Sequence, residues 1–258
     1  VSSQRRFGLI GRGQIGGAVI DAWRSGRIPG WELCAVLVRS SRSVEAGAGA
    51  SDTGGVPVVD DIDALLRSGC ELVVEAAGAQ AFAAHACRVL QVCDLWAVSP
   101  TALADPVLQA AVEATARRNG RRLRVLSGAI AGLDGVAMIC VDDDAQLQLA
   151  IDLPPDADMP GDGAHRVVFS GTVRQAALRF PDAVNVAVAA ALAGPGLDRA
   201  RIEVLRPQPR DRHRLALRAS SRYGNLEVAV HPRVAPGIHP VAACIVAALR
   251  EASGAVGT

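Results

Sequence analysis

The stretch Phe7-Gly8-Leu9-Ile10-Gly11-Arg12-Gly13-Gln14-Ile15-Gly16 decides the fold. An apolar run feeds a turn carrying glycines at 11, 13 and 16, and a helical segment follows from about Ile15 to Arg24. A strand, a glycine-rich turn and a helix, in that order, form the geometry that holds a dinucleotide pyrophosphate. Gly11 permits the tight turn, Gly13 lets the backbone approach the phosphates, and Gly16 lets helix and sheet pack closely. Gln14 and Ile15 open the helix, whose N-terminal amides would face the anion. A purely structural glycine turn would look the same over six residues, so the flanking strand and helix carry the nucleotide reading.

Outward from this turn, apolar runs alternate with helical segments. Strands are expected at 33–38, 56–59, 72–77, 95–98 and 123–126, and helices at 62–68, 80–91 and 107–118. The continuous apolar run Leu33-Cys34-Ala35-Val36-Leu37-Val38 is typical of a strand buried on both faces. Such alternation specifies an α/β fold, a Rossmann-type doubly wound parallel sheet. After about residue 134 the pattern changes to strands at 146–153, 167–170, 202–205, 213–218 and 226–230, with helices at 173–179 and 184–193. The resulting expectation is a second α+β domain carrying a mixed sheet. We place the dinucleotide-binding domain at 1–126, with 239–258 packing back on it through a helix at 241–250. The substrate and dimerisation domain then spans 127–238.

Composition narrows the function classes. Of 258 residues, 50% are hydrophobic and 21% charged, with a formal net charge of +1, which gives no electrostatic preference for nucleic acid. One tyrosine, four phenylalanines and three tryptophans argue against a base-stacking surface. The six cysteines lie mostly in apolar stretches without CxxC spacing, so free thiols in a reducing cytoplasm are expected. No apolar run is long enough to span a bilayer and no charged-then-apolar leader opens the sequence, so no membrane association is expected.

Cofactor choice turns on the end of the second strand, where an acidic residue usually accepts hydrogen bonds from the adenosine ribose. Here Val38 is followed by Arg39, Ser40, Ser41 and Arg42, with no carboxylate. Arg39, assisted by Arg42, could pair with a ribose phosphate and favour NADP, or stack on adenine and accept NAD. Two solvated loop arginines would read identically, and NAD versus NADP stays open. The strands ending near Ala77 and Ser99 bring those residues to the carboxyl edge, where ligands of open sheets bind. Ser127-Gly128-Ala129-Ile130 offers small residues with free amides, suited to a pocket floor or to a simple domain-crossing turn. Asn185, polar in an otherwise apolar stretch, needs a partner, which is either a structural bond or the cofactor carboxamide.

Among the five histidines, His85 lies in an alanine-rich helix and His165 near a loop. His213 opens a strand after Arg210-Asp211-Arg212, where an imidazole could exchange a proton near neutrality. His231 and His239 flank a proline-containing linker. None has metal-ligand spacing with another histidine or a cysteine, so no metal site is expected.

Taken together, several segments resemble the L-aspartate dehydrogenase family. They are Gly11 to Gly16, Leu72-Val73-Val74-Glu75-Ala76-Ala77, Ser127-Gly128-Ala129-Ile130 with Gly132-Leu133-Asp134, Phe180-Pro181 through Asn185-Val186-Ala187, and Leu192-Ala193-Gly194 with Gly196-Leu197-Asp198. The resemblance implies a homodimeric NAD(P)-dependent oxidoreductase that interconverts aspartate, a dicarboxylic amino acid, with iminoaspartate or with oxaloacetate plus ammonia. It further implies that Ala129 and Asn185 contact the cofactor and that His213 is the catalytic residue. Arg174, Arg233 and His239 are the candidates for holding substrate carboxylates. The chain departs from the family pattern at Ala183, where members often carry asparagine, and at Ser99-Pro100-Thr101, where relatives often carry glycine. It also carries Val234-Ala235-Pro236-Gly237-Ile238-His239-Pro240 where an asparagine-proline followed by threonine-serine is common. Those departures leave open a dehydrogenase or reductase of another amino or oxo acid, and a non-catalytic nucleotide-binding homologue.

Overall fold

The computed structural model describes residues 4–39, 53–153, 166–206, 213–235, 237 and 239–254. Two compact units emerge: Val1–Ala102 with Pro106–Leu126 and Val234–Thr258, and Leu103–Asp105 with Ser127–Arg233. The second unit thus takes Leu103–Asp105 out of the first stretch, and the return to the first unit comes at Val234.

The first unit is built on a parallel six-stranded sheet of order β3-β2-β1-β4-β5-β6. Its strands are β1 (Arg5–Ile10), β2 (Trp31–Leu37), β3 (Val58–Val59), β4 (Leu72–Glu75), β5 (Asp94–Ala97) and β6 (Leu123–Val125). Helices α1 (Gln14–Arg24), α2 (Ile62–Arg67), α3 (Ala79–Leu90) and α4 (Pro106–Asn119) alternate with them, as the sequence pattern requires. The Asp61 carboxylate caps α2 by accepting the Ala64 N–H at 3.0 Å.

The last helix, α8 (Pro240–Ser253), joins the core of this unit. Its Ala242, Ile245, Ala248 and Leu249 share one apolar cluster with Phe7, Ile20 and Trp31. Trp31 fastens it, donating its indole N–H to the Leu249 carbonyl at 2.7 Å. A buried indole needs that partner, which makes the contact specific as well as apolar.

The second unit carries a five-stranded mixed sheet of order β11-β10-β7-β9-β8. These strands are β7 (Gln146–Asp152), β8 (Arg166–Thr172), β9 (Arg201–Arg206), β10 (Leu215–Ser221) and β11 (Gly224–Val230). The β7 and β9 pair is parallel and the other pairs are antiparallel. Leu147, Leu149, Ile151, Leu215 and Leu217 cover one face against helices α5 (Leu133–Ile139), α6 (Val173–Arg179) and α7 (Asn185–Ala193). Sequence reading did not anticipate α5. It is short and carries Gly135 inside it, where a Cβ would stand 3.0 Å from Leu226 of β11. Close packing explains the glycine, and the glycine hides the helix.

Candidate active site

At the carboxyl edge of the parallel sheet, β1 ends in the glycine turn. Gly11 has φ +101°, and a Cβ there would meet the Ala76 carbonyl oxygen at 2.7 Å and the Ala77 Cβ at 2.8 Å. A Cβ on Gly16 would lie 2.1 Å from the Gly11 carbonyl oxygen. Both positions therefore exclude every other residue. Gly13 differs: nothing lies within 4 Å of its Cβ position, so open space stands over the turn. Gly13 is also the N-cap of α1 and makes no side-chain cap, and the first turn carries no acidic residue. The first amides of a helix have no intrahelical acceptor. Those of Gln14, Ile15 and Gly16 therefore suit an anion, and the residues present fit a dinucleotide.

Beside this turn lies a carboxylate that sequence reading passed over as part of a buried strand. Glu75, at the end of β4, is 1% exposed. Its Oε1 accepts the Ala77 N–H at 2.7 Å and the Gly78 N–H at 2.9 Å, and its Oε2 accepts the Ser99 N–H at 3.2 Å. Burial pushes its pKa up, opposed by these donors. One side chain therefore fixes the turns after β4 and β5, which contain two of the candidate cofactor residues, Ala77 and Ser99. Arg39 is exposed just past β2, whereas Arg42 lies outside the described residues.

In the second unit, His213 stands two residues before β10 and is half-buried. Burial pushes its pKa below the usual imidazole range, against the Asp152 carboxylate and the Leu153 carbonyl, which favour the cation. Its Nδ1 is buried and has no hydrogen-bond partner. Ala129 sits in the Ser127–Ile130 turn, closed by the Ile130 N–H to the Ser127 carbonyl at 3.4 Å. Asn185 is the first residue of α7 rather than an interior one, which accounts for a polar side chain beside an apolar helix.

The substrate candidates have different surroundings. Arg174 is engaged already: its Nε and Nη2 donate to the two Asp198 oxygens at 2.7 and 2.9 Å, and its Nη1 to the Ala104 carbonyl at 2.7 Å. Arg233 is exposed beyond β11. His239, in the first unit, is the N-cap of α8 with a buried, unpartnered Nδ1, and burial lowers its pKa. His85 lies on α3, His231 is exposed, and His165 falls outside the described residues. Among the described residues, no group of three or more His, Cys, Asp or Glu side chains could hold a metal ion. No helix among them is long and apolar enough to cross a membrane.

Two family models together match residues 11–252. Residues 11–126 match the family model described as homoserine dehydrogenase, NAD binding domain, and residues 127–252 match aspartate dehydrogenase, C-terminal. The L-aspartate dehydrogenase 2 of Bordetella pertussis is 42% identical over 179 residues, covering 64% of this chain and 67% of that protein. The L-aspartate dehydrogenase of Ruegeria pomeroyi is 31% identical over 269 residues, covering 97% and 94%. In fold, the crystal structure of aspartate dehydrogenase from Thermotoga maritima aligns with a TM-score of 0.79 at 22% identity, covering 98% of this chain and 99% of that one.

Proposed function

The chain belongs to the L-aspartate dehydrogenase family, and from that membership we propose that it interconverts L-aspartate with iminoaspartate, or oxaloacetate plus ammonia, using NAD or NADP. One observation carries the reading: a nucleotide-binding match ending at residue 126 runs directly into an aspartate dehydrogenase match beginning at 127.

The bound nicotinamide supplies the acceptor for the α-hydrogen as hydride. This chain's residues do the rest. The amides of Gln14, Ile15 and Gly16 would hold the pyrophosphate, and Arg39, just past β2, would read the adenosine ribose. Ala77 and Ser99 are the further cofactor candidates of the first unit, and Ala129 and Asn185 are those that the family resemblance implies in the second. His213, neutral near physiological pH because burial lowers its pKa, takes a proton from the substrate ammonium. In the amination direction its protonated form returns that proton to the developing amine. The two substrate carboxylates call for cationic or polar donors, and Arg174, Arg233 and His239 are the proposed ones. For Arg174 this requires substrate to compete with Asp198.

A second reading, another amino or oxo acid as substrate, is favoured by Ala183 and by the 234–240 segment, both of which depart from the family pattern. Oxidation rates with L-aspartate, L-glutamate, L-malate and L-homoserine separate the two. A preference for L-aspartate supports the first reading, and a preference for any other acid replaces it. We further propose a homodimer in the cytoplasm, a setting that suits six cysteines held as free thiols.

A further inference from the structure

The end of β7 carries a buried carboxylate that neither the motifs nor the family comparison singles out. Asp152 is 3% exposed. The β7 and β10 strands pair in antiparallel register with Leu215 opposite Ile151. Continued by one residue, that register sets Arg214 opposite Asp152, and by two it sets His213 opposite Leu153. The contacts at this rung are unusual. The Asp152 N–H donates to the Arg214 carbonyl at 3.0 Å, and the Arg214 N–H donates to the Asp152 Oδ2 at 2.8 Å. On its other side, the Leu153 N–H donates to the Leu205 carbonyl at 2.8 Å. The Asp152–Leu153 segment is thus held between β9 and β10, and its side chain fastens the backbone next to His213.

We propose that Asp152 is the positioning residue for His213, fixing the strand end that carries the imidazole and supplying the negative charge that keeps the ring able to accept a proton. The inference rests on His213 being the acid–base group. Burial weakens an imidazole as a base, and a neighbouring anion restores part of that basicity. Among the described residues, the Asp152 carboxylate is the charged side chain that acts on the ring, and it opposes the effect of burial. Proton flow is then simple. The substrate ammonium loses a proton to His213, the imidazolium is stabilised by Asp152, and the proton leaves to solvent before the next turnover.

The test is a nuclear magnetic resonance titration of ring-labelled histidine in the full chain, with His213→Gln assigning the His213 signal. Asp152→Asn keeps an oxygen for the Arg214 N–H and removes the charge. It should move the His213 midpoint down by about one pH unit, a roughly tenfold loss of proton affinity. The acid limb of kcat/KM for deamination should move down by the same amount, and amination above the midpoint should slow about tenfold. Asp152→Glu should restore much of the shift. If Asp152→Asn does not fold, Asp152→Ser, whose hydroxyl also accepts from Arg214, takes its place. An unchanged His213 midpoint overturns the proposal, as does a drop in kcat that is uniform with pH. Undiminished turnover in His213→Gln removes the catalytic premise and with it the positioning role, and the titration distinguishes that result from a failure of the Asp152 coupling itself.

Discussion

Glu75 and Ser99 stand at the carboxyl ends of neighbouring parallel strands, and the Glu75 Oε2 accepts the Ser99 N–H at 3.2 Å. With its other oxygen on Ala77 and Gly78, this carboxylate joins two turns at the edge where open α/β sheets bind ligands. Replacing Glu75 with Ala leaves those amides without their acceptor. The expected loss is about 2–4 kcal/mol of stability, read by urea denaturation, together with weaker NADH binding. Glu75→Gln keeps one acceptor and sheds the buried charge, so it should lose less stability than Ala. Equal losses for the two variants would contradict the role given to the retained acceptor.

Two glycines of the same turn should respond differently. Gly16→Ala drives a methyl to 2.1 Å from the Gly11 carbonyl, so the turn must distort. Its Tm should fall with a stability loss of about 1–3 kcal/mol, and NADH binding should be lost. Gly13→Ala meets nothing within 4 Å, so its Tm should match the parent protein. Its methyl intrudes only where phosphates approach, and fluorescence titration should show NADH binding at least roughly tenfold weaker. Normal NADH affinity in Gly13→Ala would move the pyrophosphate away from this turn.

His213→Ala should reduce kcat by about 10²- to 10⁴-fold and leave the NADH Kd within error of the parent. The pH dependence has a defined sign. Because burial lowers the His213 pKa, deamination should be fully active at neutral pH and fall only below the usual imidazole range. An acid limb above that range would contradict the assignment.

For Arg174, the paired Asp198 and the Ala104 carbonyl describe a fastening role within the second unit. Asp198 is largely exposed, so solvent discounts the ion pair, and Arg174→Ala should cost about 1–2 kcal/mol in stability. The proposed substrate role adds a raised KM for aspartate to that loss, and an unchanged KM would leave Arg174 with the fastening role alone.

Replacing Arg39 with Asp should shift cofactor preference toward NADH if the guanidinium reads a ribose phosphate. The ratio of kcat/KM for NADPH and NADH measures this, and an unchanged ratio assigns discrimination elsewhere.

The alternation of apolar runs and helices marks the parallel sheet in the sequence itself, because strands buried on both faces leave continuous apolar runs at 33–38 and 72–77. The glycine turn was legible for a related reason: Gly11 and Gly16 occupy positions where no Cβ fits. What stayed hidden depends on distant pairings. Asp152 meets the Arg214 backbone 62 positions on, and Arg174 meets Asp198 24 positions on. Neither partner is marked by spacing or composition. Glu75 escaped notice because a lone carboxylate after Leu72-Val73-Val74 carries no sign of the three amides that will surround it. His213 was singled out by resemblance; its local sequence alone left it one candidate among several.

The most direct measurement is the oxidation of NADH and of NADPH by oxaloacetate, with and without ammonia. Oxidation that requires ammonia and yields L-aspartate is expected. Oxidation that proceeds equally without ammonia, giving malate, would contradict the proposed function and make the protein an oxo-acid reductase.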